Sequence, residues 1–424
     1  MKYDINKVRA EFPALKRTWN DIPIAFLDNP AGTQVPNRVL KLMNAALVDY
    51  NANLGGFFKT SQDAEALVID AHKIAAEFVN AYDFREIFFG QNMTTLTFMM
   101  TRSLAHTLKA GDEIVLTRMD HEGNVAPWLL LAEEKNLTIK WIDLNPDTYE
   151  LDLSNLDTVI TEKTKIVAVN YASNITGSIT DVKQVVTAAK AVGAITYIDA
   201  VQYAPHGIID VQDIGCDMLV CSSYKFYGPH QGIMWARKSL LEKLKAYKVR
   251  VSSDELPEKF VTGTESREAL AGIIGALEHF EWVGSAFGGD LQAALSGRNE
   301  LQSDIQAGVR KMTQHDMTLA DQLISGVKSI KGTKIIGIDD KNSFSRRVST
   351  VSFIHDKHHP DDVAKYMAKR GISIWSGHNY ALEPIKRLGL LDKGGVIRVG
   401  PTHYNTAGEI DRFLNAFEDY VKND

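Results

Sequence analysis

The chain has 424 residues, of which 45% are hydrophobic and 24% charged, and its formal charge is −6. Such a length supports a large buried core, and such a composition excludes disordered and membrane-embedded classes. Mild acidity and the lack of any block of like charges exclude a dedicated nucleic-acid or anionic-surface binder.

Lys2, Asp4 and Asn6 stand where a signal peptide needs an apolar run, so a cytoplasmic location is expected. Leu67, Ala71, Ile74 and Phe78 recur at threes and fours, which predicts a helix over Ser61 to Tyr82 with one buried face. Strands are expected at Glu86 to Gly90, Glu113 to Arg118, Thr138 to Asp143, Lys165 to Ala172, Ile195 to Ala200, Met218 to Tyr224 and Gly232 to Lys238. Several are apolar almost throughout, as strands covered by helices on both faces must be. Between two of them a helix is marked by Thr180 as cap, Asp181 at its positive end and Gly193 at its stop. This alternation predicts an α/β fold with a mostly parallel sheet, whose ligands sit at the carboxyl ends of the strands.

Beyond about residue 285 the pattern changes to long polar helical stretches and then a smaller α/β unit. A strand at Ser349 to His355, a helix from Pro360, short strands near Ile372 to Trp375 and at Val396 to Val399, and an amphipathic helix through Ile410, Phe413, Leu414, Phe417 and Tyr420 are expected. The expected partition is a large domain over 26–284 and a small domain built from 1–25 and 285–424. Cys216 and Cys221 are the only cysteines and read as small buried apolar residues, with no disulfide framework.

The densest chemistry lies in Asp199-Ala200-Val201-Gln202 and Ser222-Ser223-Tyr224-Lys225-Phe226-Tyr227-Gly228-Pro229. An acid ends one apolar strand and a lysine ends the next. A lysine buried there must find a partner or lose its proton. A neutral lysine is what condensation with an aldehyde requires. Asn92-Met93-Thr94 sits between a strand and a helix, where free amides and the helix dipole favour an anion.

Asp199-x-x-Gln202 followed by Ser222-x-x-Lys225-x-x-Gly228-Pro229 resembles the signature of class V aminotransferases and group II cysteine desulfurases. The resemblance runs from Lys7 to Pro13 and Leu27 to Ala31 through to Arg398 and Tyr404-Asn405-Thr406. It implies the pyridoxal 5′-phosphate (PLP)-dependent transferase fold of type I, with a seven-stranded sheet in the large domain and a smaller C-terminal α/β domain. It further implies that Lys225 carries the cofactor as a Schiff base and moves protons, Asp199 pairs with the pyridine nitrogen, and Gln202 bonds the phenolic oxygen. His121 would stack on the ring and act as an acid or base, and Asn92, Met93, Thr94, Ser222 and Tyr224 would hold the phosphate. Gly263 and Thr264 match the segment that reaches the phosphate from a second subunit, implying a homodimer. Ala31, Asn174, Tyr380 and Arg398 fall at the substrate, Asn174 also near the cofactor, and the arginine suits an α-carboxylate.

The chain departs from the desulfurases in Trp375-Ser376-Gly377-His378-Asn379-Tyr380. Tyr380 stands where their mobile-loop cysteine belongs, Trp375 where an arginine assists the substrate carboxylate, and Tyr224 where a histidine precedes the lysine. The expected activity is therefore that of a PLP enzyme acting on a small amino acid. A C–S lyase working by β-elimination without a persulfide comes first, with transamination or epimerisation as alternatives. Tyr380, Tyr224 or His378 would supply a second acid or base. A binding protein that keeps the cofactor but has lost turnover is the reading of another class. No Gly-x-Gly-x-x-Gly turn supports a nicotinamide enzyme. The His355 to Asp362 cluster reads as a helix entry, so no metal is expected.

Overall fold

Alternate residues along the central strands enter different cores. Ile87, Phe89, Val115, Ile198, Leu219 and Ile233 belong to one cluster, whereas Phe88, Ile114, Leu116, Tyr197, Met218 and Met234 belong to another. Both faces of the sheet are thus buried, which explains the unbroken apolar runs. The computed structural model describes residues 2–292 and 298–423. Its main sheet contains β1 (Ile87–Gly90), β2 (Glu113–Thr117), β3 (Thr138–Ile142), β4 (Thr164–Asn170), β5 (Ile195–Asp199), β6 (Met218–Ser222) and β7 (Gly232–Ala236). The seven strands lie in the order β1-β7-β6-β5-β4-β2-β3. Only β7 runs antiparallel to its neighbours. All the expected strands are present; β6 stops at Ser222 because Ser223–Lys225 wind into a 3-10 turn.

The helix α1 (Lys59–Val79) ends on Asn80 in the left-handed conformation, φ 56°, short of the expected Tyr82. The helix α2 (Met93–Leu104) follows β1, and α3 (Val182–Ala191) joins β4 to β5. The cap of α3 is Asp181, which accepts the Gln184 N–H at 3.2 Å, and not the expected Thr180. Gly193, at φ 71°, turns the chain after the helix.

Two long helices, α4 (Arg267–Phe287) and α5 (Glu300–Ser329), carry the chain onward. They pack backbone to backbone: a Cβ on Gly284 would lie 1.8 Å from Asp304 O, and one on Gly308 would lie 2.0 Å from Phe280 O. Gly308→Ala gains up to about 1 kcal/mol of helix propensity but overpacks this crossing. The expected net result is a loss of about 1–2 kcal/mol, read as a lower urea midpoint. A midpoint at or above wild type would show that the helices separate freely. Because α4 runs unbroken past residue 284, we propose the partition 26–284 against 1–25 and 285–424 as a division of roles and not a break between separable pieces.

The second sheet has β8 (Thr333–Ile335), β9 (Val351–His355), β10 (Trp375–Gly377) and β11 (Val396–Val399), all antiparallel in the order β8-β9-β11-β10. The strand expected near 372–375 is split. Ile372–Ser373 pairs in parallel with Ala25–Phe26, while Trp375 begins β10. Helices α6 (Pro360–Ala368) and α7 (Ala407–Asn423) cover this sheet, where Phe353, Phe413 and Phe417 form the core. The N-terminal segment is tied to the same region, Tyr3 OH donating to His403 O at 2.7 Å and Arg9 Nη1 to Tyr404 O at 2.6 Å. Among the described residues no helix is long and apolar enough to cross a membrane.

Candidate active site

The carboxyl ends of β1, β2, β4, β5 and β6 open on a cavity of about 740 Å³. Each loop leaving a strand delivers one part of its wall. After β1 comes Asn92, which caps α2 by accepting the Thr95 N–H at 2.9 Å. Met93 N–H donates to Ser222 Oγ at 2.9 Å, so a helix N-terminus and the end of β6 meet at one point. Gly232 allows this contact, since a Cβ there would stand 2.6 Å from the Asn92 carbonyl carbon. The loop after β2 brings His121, whose Nδ1 accepts the Gly123 N–H at 2.9 Å. Gly123 in turn lets that loop close on Thr94, 2.6 Å from where its Cβ would be.

Asp199 and Lys225 share this cavity, at the ends of adjacent strands. Burial raises the Asp199 carboxyl to about 6, although the Val201 N–H and the Lys225 charge oppose the shift. Burial lowers the Lys225 amine to about 7, reinforced by Arg398 and opposed by Asp199. Its Nζ donates to Pro30 O at 2.6 Å and Ala31 O at 2.9 Å. Gln202 Nε2 donates to the same Pro30 O at 2.7 Å. His121 is held near 3 by burial and by the neighbouring cations, so its ring is neutral. Tyr224 is half-buried; Lys225 Nζ lies 5.1 Å from its ring centroid and His230 stacks on it at 5.0 Å.

A second compartment of about 370 Å³ shares Lys225, His121, Asn174 and Tyr224 with the first. Arg398 lies in its wall, fully enclosed, with Nη1 donating to Asn174 O at 3.0 Å and Nε without a partner. Burial depresses the Arg398 pKa while Asp28 opposes, and so intrinsically basic a guanidinium stays charged. The loop carrying Tyr380 is pinned at two points: Asn174 Nδ2 donates to Asn379 O at 2.8 Å, and Glu122 N–H to Tyr380 O at 2.7 Å.

The arrangement suits PLP on its own terms. Partnerless buried atoms, Asn174 Oδ1, Asn170 Oδ1 and Arg398 Nε, border the cavity. A backbone amide with a hydroxyl suits a phosphate, a buried carboxyl near 6 suits a protonatable ring nitrogen, and an amine near 7 suits an aldehyde.

Most of the anticipated residues therefore converge, Ala31, Tyr380 and Arg398 in the outer compartment and the others in the inner one, with His121, Asn174, Tyr224 and Lys225 shared by both. Gly263 and Thr264 do not: both are exposed and line neither compartment. Asn170 and His230 went unanticipated. Asn170 is directly opposite Asp199 in the β4–β5 register, a signal visible only once the pairing is known. His230 sits in the turn after Pro229, where no periodicity marks it. Cys216 and Cys221 are fully enclosed, and burial holds both thiols protonated, Cys216 up to about 12. Among the described residues no group of three or more His, Cys, Asp or Glu is placed to hold a metal, and His359 Nδ1 accepts the Asp361 N–H at the start of α6.

The sequence profile described as Aminotransferase class-V matches residues 25–413. A probable cysteine desulfurase of Streptomyces coelicolor is 30% identical, over 99% of this chain and 97% of the relative. An aminotransferase-like protein, FGM3, of Gibberella zeae is 32% identical over 98% of each. The apo structure of the cysteine desulfurase of Thermococcus onnurineus NA1 superimposes with a TM-score of 0.85 at 27% identity, covering 100% of both chains. Proteins of this kind work with PLP. With a profile spanning nearly its whole length and relatives matched end to end, the chain belongs to the class-V aminotransferase family and is a PLP-dependent enzyme of the aminotransferase and desulfurase type.

Proposed function

We propose that the protein is a cysteine-desulfurase-like C–S lyase that cleaves a small amino acid by β-elimination, without a persulfide cysteine. The observation that carries this reading is the pairing of a complete Lys225–Asp199 site with the lack of any usable thiol. The loop at residues 375–380 holds Tyr380 and no cysteine, and the two thiols of the chain are enclosed in the core. When bound, PLP supplies the electron sink that makes loss of the α-proton possible. Lys225 Nζ takes that proton, its lowered pKa leaving it neutral above about pH 7. Asp199 holds a proton on the ring nitrogen, Gln202 orients the phenolic oxygen, and the neutral His121 ring stacks. Asn92, Met93, Thr94, Ser222 and Tyr224 hold the phosphate. Asn174 serves both cofactor and substrate, while Arg398, Ala31 and Tyr380 position the amino acid. Gly263 and Thr264, exposed in one copy, serve the site of a second in a cytoplasmic homodimer.

Purified protein given L-cysteine and a series of β-substituted alanines tests this. Pyruvate and ammonia in equal amounts are expected. A keto acid retaining the substrate side chain, formed only with an amino acceptor, would assign transamination. Loss of optical activity without consumption would assign epimerisation, and no change with any amino acid would assign a binding role.

A further inference from the structure

The outer compartment differs from the inner one in chemistry. Among the described residues that line it, Arg398 is the only permanent cation and none is a carboxylate. Its rim is aromatic, with Trp375 half exposed and Tyr380 70% exposed. Trp375 is directly opposite Arg398 in the β10–β11 register. Cross-strand partners of this kind place their side chains on the same face, roughly 5 Å apart at Cβ. A carboxylate held by Arg398 would therefore have the indole as a near neighbour in the same compartment.

Tyr380 faces the same space from the loop that follows β10, its ring 5.9 Å from that of His121 and tilted by 29°. It adopts φ 57°, next to Asn379 at φ 49°. A left-handed conformation costs a large side chain roughly 1–2 kcal/mol that glycine would not incur. The main chain there is fixed by hydrogen bonds from Asn174 and Glu122, so the ring is held at the rim despite the strain.

We propose that Trp375 and Tyr380 form a subsite for a bulky, uncharged, apolar substituent on the bound amino acid, one of aromatic-ring size. The lack of a carboxylate or a further permanent cation disfavours basic and acidic side chains. This inference rests on the elimination reading above and sharpens it: the substrate is a cysteine carrying an apolar thioether group, and not free cysteine. The Cα–H and Cβ–S bonds break, the proton passes to Lys225, and the thiolate departs and is protonated. Water hydrolyses the remaining fragment, so that RS–CH2–CH(NH3+)–CO2− and H2O give RSH, pyruvate and NH4+. No oxidant and no second thiol is needed.

The test uses holoenzyme and two carboxylates that lack the amino group and cannot react, 3-(benzylthio)propanoate and 3-(methylthio)propanoate. Calorimetry should give a Kd roughly tenfold or more lower for the benzyl compound, as expected for a ring that becomes partly buried. Trp375→Ala should bring the ratio below about threefold, and Trp375→Phe should keep most of it. Tyr380→Ala, at an exposed position, should also lower the ratio and serves if Trp375→Ala fails to fold. Equal affinities in the wild type, or a ratio unchanged in both alanine variants, would overturn the subsite. Pyruvate from free L-cysteine with no benzyl preference leaves the elimination reading standing and removes the subsite. A benzyl preference without pyruvate from any β-substituted alanine does the reverse.

Discussion

Replacing Lys225 by alanine is expected to abolish the visible absorption of the cofactor-bound lysine and to lower turnover by roughly 10³- to 10⁴-fold, the range for removing a proton-transfer group that also binds covalently. The lysine has no understudy among the described residues that line the cavity, since it is the only primary amine there. Its ionisation supplies a second reading of the same prediction. The free amine condenses with an aldehyde and the ammonium does not. Its pKa lies at about 7 in the fold, against 10.5 for an ordinary lysine, mainly because burial disfavours the charge. The neutral fraction therefore grows as pH rises through about 7. The rate at which cofactor-free protein takes up PLP should climb through that value and level off about one unit above it. A limb near pH 10, or a visible band that survives Lys225→Ala, would remove Lys225 from its assigned role.

Arg398→Ala is expected to raise the KM for an amino acid by roughly 10²- to 10³-fold, with a smaller effect on kcat. Truncating one partner of a buried, charge-assisted pair costs about 2–5 kcal/mol. The geometry favours such a loss, because Nη1 is already engaged with Asn174 O while the buried Nε has no hydrogen-bond partner. The residue is one at which lysine is a poor substitute, since a point charge cannot reproduce a planar fork. Arg398→Lys should therefore recover only part of the affinity. The control is an amine substrate without a carboxylate. An equal loss with that amine would mean that Arg398 supports the fold around Asp28 and Asn174 and does not grip the substrate.

Much of this site could be read from residue order alone, for a definite reason. Strands buried on both faces leave unbroken apolar runs, and a charged or polar residue ending such a run has few places to go. Asp199, Ser222 and Asn92 were visible in this way, and all three lie at strand exits. Residues whose importance comes from pairing were not visible. Asn170 borders the cavity because β4 and β5 align it with Asp199, and although the resemblance singles out Trp375, its place directly opposite Arg398 follows only from the β10–β11 register. Strand register is a tertiary quantity, set by packing and crossover lengths that no local pattern encodes. The split near Ile372 has the same origin, since one half finds its partner in the N-terminal segment and the other in the second sheet. The cap of α3 shows a finer limit: Thr180 and Asp181 are both good caps, and only the path of the entering chain decides between them.

The glycine crossing of α4 and α5 bears on how the molecule comes apart. Where side chains separate two helices, a domain can peel away and leave its neighbour a surface that water can wet with little rearrangement. At Gly284 and Gly308 nothing intervenes, so parting the helices would open a seam whose two walls fit only each other. The dispersion energy lost along that seam has no local substitute. Whatever melts the C-terminal sheet should then pull α4 from the main sheet with it, and the enzyme will lose both layers in one cooperative event.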